Sequence, residues 1–149
     1  VNGWLRTGDL GSIDNDGYLK ISGRANEMIV NSGGENIAPV PIENLLLSYD
    51  EIEQVMIYGH NRPFLIAIII PNETLLSDNQ NKLKEIFQNI VNNVNKDLSQ
   101  KKKIRKFIHS IKFFSTDNRQ LTPTLKMRRH VIATYYKDEI NNLYKKSFF

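Results

Sequence analysis

Four places in this sequence carry side chains that could do chemistry together. Trp4 to Asp9 reads WLRTGD, and Arg24 follows just after the next strand-like run. A lone Thr-Gly-Asp is foremost a turn, but a carboxylate beside an arginine can accept from vicinal hydroxyls, which makes Asp9 and Arg24 a candidate ribose clamp. The second place is Ser32-Gly33-Gly34-Glu35-Asn36. Paired glycines let backbone approach a ligand closely, and successive N–H groups can cradle an anion. No Gly-Lys-Ser/Thr follows, so this is not a Walker-type phosphate loop, and a tight strand-to-helix turn is the simpler reading.

Lys126 is the third. It closes Thr122-Pro123-Thr124-Leu125, where Pro123 biases Thr122 away from helix and favours an exposed, extended loop. A lysine there is a movable point charge suited to phosphate oxygens; by composition alone it is one solvated lysine among many. The fourth is basic. Lys101, Lys102, Lys103, Arg105 and Lys106 form one cluster and Lys126, Arg128 and Arg129 another, and they supply most of the net charge of +4. The first cluster reads either as a solvated helix end or as an anion-binding face.

The elements that must position these residues are legible in outline. Leu5 to Ile13 and Tyr18 to Ile21 flank Asp14-Asn15-Asp16-Gly17, the pattern of a β-hairpin with glycine supplying positive φ. A short strand at Met28 to Val30 leads through the glycines to Pro39 and Pro41, and Ile42, Leu45, Leu46 and Tyr49 then recur at helical spacing. Val55 to Tyr58 and Phe64 to Ile70 read as a strand pair, the second apolar enough to be covered on both faces. Leu83, Ile86, Ile90, Val94 and Leu98 mark a helix capped by Asp78 and closed by Lys101 to Arg105. A strand at Phe107 to Phe114, a polar loop to Leu125 and one helix over Arg128 to Tyr144 complete the order. The expected class is α+β, a small mixed sheet with packed helices, preceded by a β-hairpin.

Composition narrows the chemistry. With no cysteine there is no disulfide, thiolate zinc site or cysteine nucleophile, and His60, His109 and His130 lack metal-like spacing. No apolar run reaches the roughly 20 residues that cross a bilayer, and the start lacks the pattern of a secretory signal. The 149 residues suit one domain. Opening at Val1, the sequence reads as a piece of a longer protein. The abundance of asparagine from Asn79 to Asn95 is put down to genome composition.

Three segments together carry a resemblance. GWLRTGD (Gly3 to Asp9), GRANEMIVNSGGENIAPVPIE (Gly23 to Glu43) and LTPTLKMRR (Leu121 to Arg129) resemble, in order and spacing, successive signatures of the adenylate-forming enzymes. That family includes acyl-CoA synthetases, peptide-synthetase adenylation domains and firefly luciferase. GGENIAP, and LTPTLK without the glycine that most members place before the lysine, are most similar to long-chain fatty acyl-CoA synthetases.

The resemblance implies roles. Residues 1–25 would be the tail of a large N-terminal domain plus hinge, and 26–149 a mobile C-terminal lid. Asp9 and Arg24 would hold the ribose of ATP or AMP, and Asn26 would be the hinge, where the family usually has aspartate or lysine. Ser32, Gly33, Gly34 and Glu35 would line the pantetheine path of coenzyme A. Lys126 would be the catalytic lysine bridging carboxylate and α-phosphate, and Glu43 a structural glutamate. On charge alone, and not from the resemblance, Lys102 and Lys103 would be available to the 3′-phosphate of coenzyme A. Fatty acid, ATP and coenzyme A would be the substrates, with magnesium held mainly by the N-terminal domain, which would also be the lid's partner. The protein would work in the cytoplasm or peripherally on an intracellular membrane. An enzyme for a medium-chain, aryl or amino acid is the rival reading. A basic module for nucleic acid or membrane is a weaker one, because Phe107, Phe113 and Phe114 suit a strand core better than base stacking.

Overall fold

A computed structural model describes residues 9–24 and 27–145. Its first element is the expected hairpin, β1 (Asp9–Ile13) antiparallel to β2 (Leu19–Arg24). The Asp14 carboxylate accepts from the N–H groups of Asp16 and Tyr18, and Gly17 takes φ +85°, so the turn chemistry is local.

β3 (Ile29–Val30) and β4 (Asn36–Ile37) form a second, minimal hairpin around the glycine pair. α1 (Pro39–Leu47) follows at once. Pro39 and Pro41 both fall in its first turn, where a missing N–H costs nothing. β5 (Ile52–Tyr58), β6 (Leu65–Pro71) and β7 (Ile104–His109) make a mixed sheet in that order. β6 runs antiparallel to β5 and parallel to β7. A parallel neighbour requires a crossover, and α2 (Gln80–Asn95) supplies it.

Every residue of β6 is buried, and side-chain alternation divides them between two cores. Leu65, Ala67 and Ile69 pack with Ile42 and Leu46 of α1 and with Leu83, Phe87, Ile90 and Val94 of α2. Ile66, Ile68 and Ile70 face Ile132 of α3 (Arg129–Tyr135) and Ile140 and Tyr144 of α4 (Lys137–Lys145). The result is helices on both faces of one small sheet, in agreement with the expected α+β class.

Several boundaries differ from expectation. α2 stops at Asn95 and is capped by Asn79, whose Oδ1 accepts from the Lys82 N–H at 2.8 Å; Asp78 instead pairs with Lys82. The lysine cluster therefore does not close that helix. Gln100–Lys102 is a single 3₁₀ turn, and β7 begins at Ile104 and ends at His109, leaving Phe113 and Phe114 beyond it. The expected last helix is two, with Tyr136 (φ −97°, ψ 17°) between them.

Side-chain amides finish the sheet. The Asn95 amide donates to the Ile104 carbonyl and accepts its N–H, both at 2.8 Å. Gln54 does the same for Phe114, at 2.9 and 2.7 Å. Each amide stands in for a neighbouring strand's peptide and satisfies backbone groups that burial would otherwise orphan.

Candidate functional site

Lys126 sits at the end of a built turn. The Thr122 carbonyl accepts from the Leu125 N–H at 2.8 Å, the Thr122 N–H donates to the Lys126 carbonyl at 2.8 Å, and Leu121 bridges to Met127. Leu125 takes φ +65°. A tight turn followed by one left-handed residue is a bulged hairpin loop, in which glycine is the usual occupant. The Thr122 hydroxyl adds a bond from the Lys126 N–H at 3.1 Å and lies 3.1 Å from the Thr124 hydroxyl. The expected extended loop is thus a compact, hydrogen-bonded one. The Lys126 side chain is exposed and, among the described residues, its ammonium has no hydrogen-bond or ion-pair partner.

Behind the loop stands an ion pair. Arg129 donates through Nη1 and Nη2 to the two Glu43 oxygens at 2.7 and 2.6 Å, and Glu43 also accepts the Ile57 N–H at 2.9 Å. Glu43 is 3% exposed. Burial alone would lower the Arg129 pKa, but the bond and charge of Glu43, with the charge of Glu27 beyond, raise it above its ordinary value. One carboxylate thereby joins α1, β5 and the start of α3, three residues after Lys126. An open cleft of about 410 Å³ lies here, lined among others by Glu27, Val40, Leu47, Lys126, Met127 and Arg129. Sequence reading set Glu43 aside as structural and gave Arg129 no role; the pairing is long-range, and only the adjacency of Arg129 to Lys126 could have pointed to it.

The glycine loop is arranged differently. Asn31 Oδ1 accepts from Gly33 and Glu35 N–H at 3.0 and 2.9 Å, the Asn31 carbonyl accepts from Gly34 N–H, and Gly34 takes φ +81°. These donors are occupied by Asn31, so the loop is a tight turn and not an anion nest. Ser32 donates to the Arg62 carbonyl at 2.9 Å, and Glu35 pairs with Lys101. That pair sets the basic 3₁₀ turn, with exposed Lys102 and half-buried Lys103, beside the glycine loop. None of Ser32 to Glu35 lines the cleft at Lys126.

Asp9 and Arg24 stand directly opposite each other as the end pair of the first hairpin's ladder. Asn26 lies outside the described residues. Among the described residues no group of three or more histidines, cysteines and acids is placed to hold a metal ion. No helix among them is long and apolar enough to cross a membrane.

Comparison with known proteins bears on this arrangement. The family model described as the AMP-binding enzyme C-terminal domain matches residues 26–148. The long-chain-fatty-acid–CoA ligase FadD15 of Mycobacterium tuberculosis is 34% identical over 163 residues, covering 98% of this chain and 27% of the relative. Human long-chain-fatty-acid–CoA ligase 1 is 33% identical over 162 residues, covering 96% and 23%. The chain thus spans about a quarter of the length of the curated relatives it matches. Among solved structures, the adenylation domain of a carboxylate reductase from Mycobacterium chelonae superposes with a TM-score of 0.86 at 24% identity, over 97% of this chain and 23% of that one. A Mycobacterium tuberculosis fatty acyl CoA synthetase does so with 0.59 at 28%, over 93% and 25%. The chain belongs to the AMP-binding, adenylate-forming enzymes and carries their C-terminal domain.

Proposed function

We propose that the chain is the C-terminal lid of an AMP-forming long-chain fatty acid–CoA ligase. In the first half-reaction a fatty carboxylate attacks the α-phosphorus of ATP and pyrophosphate leaves; in the second, the coenzyme A thiol displaces AMP from the acyl-adenylate. Charge builds on the phosphoryl oxygens in the first step, where a positioned ammonium is useful. Lys126 is that ammonium. A contact made mainly in the transition state is worth about 3 kcal/mol, or roughly a hundredfold in rate. Asp9 and Arg24 hold the ribose, and residue 26 is the pivot about which the lid turns. The Ser32–Glu35 loop then borders the pantetheine path, with Lys102 and Lys103 near the coenzyme A phosphates.

The observation that carries this reading is Lys126 itself: a preformed turn presents a cation that no described residue neutralises. Identities of 33–34% to long-chain ligases over nearly the whole chain support the acid class. The test is acid-dependent ATP–pyrophosphate exchange by the full-length enzyme across acids from acetate to stearate, with aryl acids included. The greatest kcat/KM is expected at long chains, and a maximum at a short or aryl acid would refute the assignment.

One finding favours another acid. The similar solved structures include an o-succinylbenzoate coenzyme A synthetase from Bacillus subtilis, 26% identical with a TM-score of 0.61. The same panel, with o-succinylbenzoate added, separates the two.

A further inference from the structure

Leu125 occupies a backbone conformation that suits it poorly. Its φ of +65° lies in the left-handed region, where a Cβ crowds the following carbonyl. It is also 70% exposed. The residue therefore carries two local costs, strain and exposed apolar surface, at the position where glycine would incur neither. Strain of this kind persists where the surroundings impose it and is concentrated at working sites. The surroundings here are the hydrogen bonds of Thr122 that shape the turn around Lys126.

The neighbourhood says what the side chain is for. Val40 and Leu47, seven residues apart on one stripe of α1, are both exposed and line the cleft below Lys126 together with Met127. Leu125 does not line that cleft; it adds exposed apolar surface on the same turn, next to Lys126. An ammonium meets a phosphate most strongly where water is excluded. The described residues supply no cover for that surface, and the chain spans only about a quarter of its relatives' length.

We propose that Leu125 is a positioning residue for Lys126: it is buried against the remainder of the enzyme when Lys126 reaches the nucleotide, closing the ammonium–phosphate contact to water. This rests on the role of Lys126 given above and adds to it an apolar seal used in the first half-reaction only.

The test compares Leu125→Gly, Leu125→Asn and Leu125→Met in the full-length enzyme. Glycine and asparagine accept the left-handed conformation, so both variants keep the turn. The proposal expects their adenylation kcat to fall about tenfold while thermal midpoints stay equal or rise. Thioester formation from supplied acyl-adenylate should be unchanged, and Leu125→Met should restore most of the adenylation rate. Full adenylation by Leu125→Gly overturns the proposal, as does an equal loss in both half-reactions. Lys126→Ala, run alongside, keeps the two readings apart: if it adenylates normally, the role of Lys126 fails, whereas its inactivity beside a fully active Leu125→Gly removes the seal alone.

Discussion

Arg129 grips Glu43 with both terminal guanidinium nitrogens, and that single fork ties the helix after the glycine loop to the helix after Lys126. Planar two-point recognition is something a lysine cannot reproduce. The fork also explains why the lysine loop has a fixed base despite lying at the surface.

Breaking the pair should be costly because Glu43 has no water to fall back on. Glu43→Ala leaves a largely buried guanidinium without its counter-charge and the Ile57 N–H without its acceptor. A loss of about 3 kcal/mol in urea unfolding is expected, the low end for a broken buried pair because Arg129 keeps some solvent contact. A loss under about 1 kcal/mol would show that the pair is not structural.

Asn95 should matter in the same way for the sheet. Asn95→Ala removes both bonds to the fully buried Ile104 and orphans its peptide groups. The cost should be about 2 kcal/mol. Asn92→Ala, on the exposed face of the same helix, should change stability by no more than a few tenths and serves as the control.

That pair of asparagines shows where sequence reading succeeds and where it stops. β6 was legible because seven buried residues leave an unbroken apolar run, and α1 because its two prolines fall where a helix starts. The end of α2 was not: Leu98 continues the apolar stripe, but Asn95 turns its amide to Ile104 nine residues later, a tertiary bond with no local period. The same event moves the start of β7 into the basic cluster, where Arg105 and Lys106 hide the strand pattern. Asparagines dismissed as compositional prove to cap α2 and to bind Ile104. Lys126 was legible as part of a motif, whereas the glycine loop, read also as a possible anion cradle, is a tight turn away from the cleft at Lys126. The Glu43–Arg129 fork spans 86 residues and needed the fold to reveal it.

His109 gives the stability a pH dependence of known sign. Burial first, and the charge of Lys84 second, lower its pKa from the ordinary 6.5. The unfolded chain then binds the proton more readily than the folded one, so stability is full above about pH 6.5 and falls as pH drops through the depressed folded value. His109 packs near Phe87 and Phe107, with ring centroids 6.0 and 6.3 Å away. His109→Phe should retain that packing and flatten the thermal midpoint between pH 7 and 5 relative to the parent. An equally steep decline in the variant would place the acid sensitivity elsewhere.

The most direct measurement separates the two half-reactions in the full-length enzyme carrying Lys126→Ala. Adenylation, followed as acid-dependent pyrophosphate release, should fall at least a hundredfold. Coenzyme A thioester formation from supplied acyl-adenylate should stay within about twofold of the parent if, as proposed, that ammonium is withdrawn for the thiol step. Equal losses in both steps, or an unimpaired first step, would contradict the account of Lys126 as a cation used once and then moved aside.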